Sequence, residues 1–195
     1  MQANQLTTYT RGDLVISSPD EQVVLKLASL AIGIAPAANE AGIPAIGQPW
    51  PGEGGVNGGL FPGNGKPYYL IVPTGADAEA RHVFGGHGEE LECANSLHDG
   101  MANTADLAEA AGNYPAAQFC AAFERDGHSD FYLMSRREAQ FLEITVPEVF
   151  SKAYHWTSTQ YSALNAYLMS FEDGWLHHGV KDFERLVRPV RRKYI

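Results

Sequence analysis

Cysteine is nearly missing from this chain: its 195 residues hold only Cys93 and Cys120. Two are too few for the disulfide framework on which small secreted domains rely. They could form one bridge, but Cys120 falls on an apolar helical face and reads as a small buried hydrophobe. Positive charge is also scarce, with 14 Lys and Arg against 23 Asp and Glu and a formal net charge of -9. That balance argues against a nucleic-acid partner, because phosphate binding needs a basic face that releases counterions. Long apolar runs are lacking too. Residues 23–38 are apolar but interrupted by Lys26, Gly33 and Pro36, short of a membrane span. The first ten residues are polar, without a charged n-region followed by an apolar run, so the expectation is no signal peptide and synthesis in the cytoplasm.

What is present is the composition of a globular protein, 45% hydrophobic and 19% charged. One compact domain over residues 46–195, preceded by an arm over residues 1–45, is the economical division. In the arm, Val23, Val24, Leu27, Leu30 and Ala31 recur at near-helical spacing and give one apolar stripe. Such a stripe has to be covered, by its own domain or by a neighbouring subunit; docking on partners is the expectation. Arg11-Gly12-Asp13 matches a cell-attachment tripeptide, a pattern that chance alone produces readily.

Residues 49–67 contain seven glycines, which predicts a shaped loop rather than a regular element. A phosphate-cradling loop is excluded there, since Leu60 stands where the first glycine is needed and Pro67 follows Lys66. Tyr68 to Val72 reads as a strand closed by Pro73-Thr74-Gly75. Asn103 or Thr104 is placed to cap a helix running to Ala111, and Pro115 suits the first turn of the next. In that second helix Ala116, Phe119, Cys120 and Phe123 commit one face to a core. Ser135 and Glu138 have capping-box spacing, and Pro147 limits the helix they start. Further on, Tyr167, Met169 and Phe171 alternate with Ala166, Leu168 and Ser170 along a strand, and Asp173-Gly174 supplies a hairpin turn. In the closing segment Val187 and Val190 fall on opposite faces, so a bulge or burial on both sides is expected, and Pro189 implies an edge or a bulge. Its basic residues Arg185, Arg188, Arg191, Arg192 and Lys193 read as a structural strand partly paired to carboxylates.

Reaction chemistry finds little support. His177 and His178, with His155 and His128 near in sequence, invite a metal, but adjacent strand residues point to opposite faces and cannot easily share one ion. Histidines on the surface or against a partner are the preferred reading. His87-Gly88-Glu89 resembles the start of a zinc-deaminase signature, yet no Pro-Cys-x-x-Cys follows, and no His-Glu-x-x-His occurs. No Gly-x-Ser-x-Gly elbow surrounds Ser158.

Residues 127–138, Gly-His-Ser-Asp-Phe-Tyr-Leu-Met-Ser-Arg-Arg-Glu, are similar to the Gly-x-x-Asp-Trp-x-Leu-Pro-Thr-Arg-x-Glu signature of the Legionella collagen-like protein C-terminal domain family, many of whose members are phage or prophage proteins. The run from Trp50 to Gly55 leading to Gly65 through Val72 resembles the opening of the phage-borne members, and the His155-Trp156-Thr157-Ser158-Thr159 segment, hairpin and Arg-rich closing strand resemble the second half of a C-type-lectin-like domain. The likeness spans roughly residues 46–193; it departs at Met134, where the family has Pro. The resemblance implies an α+β, C-type-lectin-like fold of two helices and a twisted antiparallel sheet. It also implies a non-enzymatic virion protein, homo-oligomeric, attached to other virion proteins through its arm, with no cofactor and no membrane insertion.

Two roles follow from that resemblance: a tail fibre or baseplate subunit that binds a host receptor, glycan or protein, or a capsid or tail decoration protein. For the first, Tyr161, Trp175, His177 and His178 around the hairpin are the candidate contact residues. For Trp175 folding over the hairpin is an equal alternative, and for Tyr161 burial is the expectation. Calcium-dependent sugar binding is not expected, since the Glu-Pro-Asn or Gln-Pro-Asp and Trp-Asn-Asp segments of such lectins are missing. The related formylglycine-generating enzymes hold copper on a late cysteine pair, and no cysteine follows Cys120 here.

Overall fold

The computed structural model describes residues 7–11, 14–18, 42–91, 94–110 and 112–194. The apolar stripe of residues 23–31, Gly12-Asp13 of the tripeptide, and Cys93 lie outside the described residues. Cys120 is a free, fully buried thiol, and burial raises its pKa.

The protein is a mixed α+β structure. Within the arm, β1 (Thr7–Arg11) and β2 (Leu14–Ser18) form an antiparallel hairpin in which Arg11 faces Leu14. The remaining strands are β3 (Pro49–Trp50), β4 (Gly55–Phe61), β5 (Tyr68–Val72), β6 (Ala80–His82), β7 (Tyr132–Leu133), β8 (Tyr154–Gln160), β9 (Asn165–Ser170), β10 (Leu176–Val180), β11 (Arg185–Val187) and β12 (Pro189–Lys193). They build two five-stranded sheets, in the orders β3-β4-β5-β12-β7 and β10-β9-β8-β11-β6. The expected single antiparallel sheet is therefore two sheets, and β11 runs parallel to β8.

Three α-helices are described rather than two: α1 (Gly100–Glu109), α2 (Pro115–Ala121) and α3 (Arg136–Thr145). The first begins earlier than its sequence suggests. Asp99 caps it by accepting from Ala102 N at 3.1 Å, while Asn103 and Thr104 are buried inside it. There Asn103 Nδ2 donates to Ser96 O, and Thr104 Oγ1 bonds both Gly100 O and Leu133 N. Both residues favour caps because they hydrogen-bond backbone, and here they bond backbone elsewhere in the fold. Pro115 occupies the first turn of α2. The Ser135–Glu138 capping box forms in full, with Ser135 N donating to Glu138 Oε2 at 2.6 Å.

The glycine-rich segment is not a loop throughout, because β3 and β4 lie within it. A register shift between Asn57 and Leu60 sets Gly58 and Gly59 against α3. A Cβ on Gly58 would stand 2.7 Å from Leu142 Cδ2, and one on Gly59 would stand 3.1 Å from the Phe141 ring. Glycine here serves the close approach of a helix to a strand.

The closing segment divides where sequence places one strand. β11 ends at Val187 in one sheet, and β12 begins at Pro189 in the other. Proline cannot donate to a ladder, so it suits the first residue of the new strand. Each valine then enters its own apolar core. Val187 packs with Phe84, Leu107, Tyr114, Leu133, Trp156 and Leu168. Val190 packs with Leu70, Tyr132, Leu142, Phe150 and Met169. Strands β8 and β9 separate these cores: Trp156 pairs with Leu168 on one face and His155 with Met169 on the other.

Candidate functional site

The hairpin β9–β10 pairs Tyr167 with His178 and Leu168 with His177, and its tip turns at Gly174 with φ +76. Ser170 N donates to Trp175 O and Gly174 N to Ser170 O, which fixes the base of the tip. Trp175 N donates to Asp173 Oδ1 at 3.3 Å, while the indole is 66% exposed and makes no ring contact among the described residues. The alternative in which Trp175 folds over the hairpin is not the arrangement found.

Tyr161 sits at the end of β8, where Ser162 Oγ accepts from Leu164 N and Asn165 N and sets the turn into β9. Its side chain is half exposed, contrary to the expected burial. The turn carries the ring outward, where it lies flat on His178 with centroids 4.2 Å apart and planes 3° from parallel. On its other flank Tyr161 meets Tyr167 edge-on at 5.3 Å. The Arg136 guanidinium stands 4.6 Å over Tyr167. His178 in turn stacks on His177 at 5.2 Å, and His177 meets Tyr154 edge-on at 6.4 Å. Five rings and one cation thus form a ladder across β8, β9, β10 and the start of α3.

Three of the four candidates, Tyr161, His177 and His178, are brought together, and Trp175 stands apart at the tip. His177 Nδ1 lies 2.6 Å from His178 O; a carbonyl only accepts, so this nitrogen carries the proton. The Nε of Arg136 is buried without a hydrogen-bond partner. Tyr167, Tyr154 and Arg136 were not among the candidate contact residues. A signal for Tyr167 exists, because counting outward from the Asp173-Gly174 turn sets it opposite His178. Arg136 offers none, as it arrives from a different element.

Histidine 155 is not a surface residue as expected but fully buried. Its Nε2 lies 2.8 Å from Glu79 Oε1 and its Nδ1 lies 3.1 Å from Ala153 O. Glu79 also accepts from Arg188 Nε at 3.2 Å and from the Ser151 hydroxyl. Burial acts to raise the Glu79 pKa, but these donors and the charge of Arg188 outweigh it and lower it to about 2. The serine, histidine and carboxylate here do not form a hydrolytic triad, since Ser151 is bonded to Glu79 and not to the imidazole. A second buried carboxylate, Glu138, accepts from Tyr68 and Tyr132 hydroxyls at 2.7 Å each and from Arg192 Nη2 at 3.2 Å. Arg191 and Lys193 pair with Glu53 at 2.7 Å. The basic closing segment is tied into carboxylates over much of its length.

Lys181 is also fully buried, its ammonium donating to Glu89 O at 2.8 Å, Gly86 O at 3.3 Å and Gln160 Oε1 at 2.6 Å. No group of three or more metal-binding side chains occurs among the described residues. No helix among them is long and apolar enough to cross a membrane. The chain matches no family model and no curated protein.

Proposed function

We propose that this chain is a non-enzymatic structural protein of a bacteriophage virion, carrying a C-type-lectin-like domain as a display module at the tail. The ring ladder of β8–β10, with Trp175 at the tip beside it, is the contact face for a host-surface receptor, glycan or protein. The single observation that carries this reading is the exposure of Trp175 at the hairpin tip and of Tyr161 in the ring ladder. Aromatic side chains with few rotatable bonds give contact area at small entropic cost, which is why binding sites concentrate them. Aromatic rings left to solvent in a group suit contact with another molecule. Support for the lectin-like description comes from the motif order from residue 46 to 193 and from a closing strand, β12, that pairs with the early strand β5.

A capsid or tail decoration role is the second reading, and one observation favours it. Ile144 on α3 is 78% exposed, beside a cleft formed by Phe61, Pro62 and Phe141. An apolar patch of this kind suits packing against a neighbouring virion subunit. In either role the arm attaches the domain to other virion proteins, and the protein is a homo-oligomer. Cryo-electron microscopy of virions bearing a C-terminal label separates the two. Density at the tail tip or fibres supports receptor binding, density over the capsid lattice supports decoration, and no density on the particle overturns both.

A further inference from the structure

We propose that a second site, unrelated to the ring ladder, binds a small oxyanion, a carboxylate or phosphate group, between the start of α1 and the end of β12. A cavity of about 110 Å³ opens there, lined among others by Lys66, Tyr68, His98, Asp99, Arg192 and Tyr194. A water molecule takes about 30 Å³ of liquid volume, so the space suits one compact group of a few heavy atoms.

The polar groups around this cavity differ in how far their hydrogen bonds are satisfied. Glu138 is engaged on both oxygens: Oε1 accepts from Tyr68, Tyr132 and Arg192, and Oε2 accepts from Ser135 N. Asp99 Oδ1 accepts from Ala102 N and from Arg192 Nη2 at 2.7 Å. Arg192 spends Nε on the Tyr132 hydroxyl at 3.0 Å and Nη2 on the two carboxylates, which leaves Nη1 without a hydrogen bond among the described residues. Its guanidinium is held in place by the Tyr68 ring at 4.4 Å and the Tyr132 ring at 5.0 Å. Lys66 has no carboxylate partner among the described residues; its ammonium lies over the Tyr194 ring, 4.3 Å from the centroid.

Two donors at this cavity therefore have no oxygen acceptor among the described residues. One is the remaining nitrogen of a guanidinium clamped between two rings, and the other is an ammonium free to rotate. A rigid guanidinium edge and a mobile point charge together suit an oxyanion, which accepts from both at once. The oxyanion is either a free ion or a carboxylate offered by a neighbouring protein chain.

Titrate the full chain with inorganic phosphate and with acetate, against sodium chloride at matched ionic strength, following backbone amide shifts around residues 64–68 and 98–101 and the molecular mass in parallel. Saturable shifts with constant mass identify a free ion. Shifts accompanied by dissociation of an oligomer identify a neighbour's carboxylate displaced by the ion. Lys66 is exposed, so Lys66→Met should fold normally and lose at least about tenfold in affinity, the scale of one charge-assisted hydrogen bond, whereas Lys66→Arg should retain binding. Shifts no larger than those from chloride, or equal affinity in Lys66→Met, overturn the proposal.

Discussion

His178 lies flat on Tyr161, 4.2 Å between centroids and 3° from parallel. Tyr161 follows directly on β8 and His178 lies in β10, so the stack ties the end of β8 to β10 and presents their rings as one surface. Tyr161→Ala is expected to release the imidazole and cost under about 1 kcal/mol, because the pair is half in solvent. The His178 ring protons should then lose their upfield ring-current shift in NMR spectra, with the melting temperature nearly unchanged.

Glu79 gives the fold a defined acid limb. Its pKa falls from 4.5 to about 2 in the folded chain. A carboxylate depressed on folding stabilises the protein above its unfolded value, and that contribution is lost as pH falls from 4.5 through about 2. The shift corresponds to something on the order of 3 kcal/mol. Glu79→Gln should lower stability at pH 7 and flatten the denaturation profile between pH 5 and 2, roughly the window of the shift. An unchanged profile would show that the carboxylate is not paired as described.

Lys181 pins residues 86 and 89 to β8 through three oxygen acceptors. Burial lowers its pKa, with the nearby Glu89 and Glu90 charges opposing that. Lys181→Met keeps most of the volume and leaves those acceptors unpaired, which should cost about 2–3 kcal/mol. Amide hydrogen exchange at residues 86–91 should quicken more than elsewhere.

The paired glycines of β4 give a steric test. Gly58→Ala would set a Cβ 2.7 Å from Leu142 Cδ2 and 3.0 Å from Leu70 O, so the buried Leu142 side chain must give way, at roughly 1–3 kcal/mol. Gly52→Ala meets nothing within 4 Å and carries only the strain of φ +76, about 1 kcal/mol. Thermal melts should rank Gly58→Ala as the less stable of the two.

What was legible in the sequence was whatever one element decides for itself. The Ser135–Glu138 box, Pro115 at a helix start and the strand Tyr68–Val72 depend on neighbours within a few residues, and each stands where its pattern put it. The division of the closing segment at Arg188 was not legible, because it depends on two separate cores, one for Val187 and one for Val190. The same holds for His155 and Lys181, polar residues whose burial depends on acceptors supplied by loops distant in sequence. At the candidate face, exposure of Trp175 could be weighed from its turn, but the ladder through Tyr167 to Arg136 required the register of three strands and a helix.

The most direct test of the account is binding of the purified protein to host cells, compared with Trp175→Ala and with the double variant Tyr161→Ala/Trp175→Ala. Trp175 is largely and Tyr161 half in solvent, so the melting temperature should stay within about 4 °C of the parent, the scale of a change of about 1 kcal/mol in a chain of this size. The account predicts at least about tenfold weaker cell binding in the double variant, as expected when central aromatic contacts are removed. Parental binding by a folded double variant would contradict it.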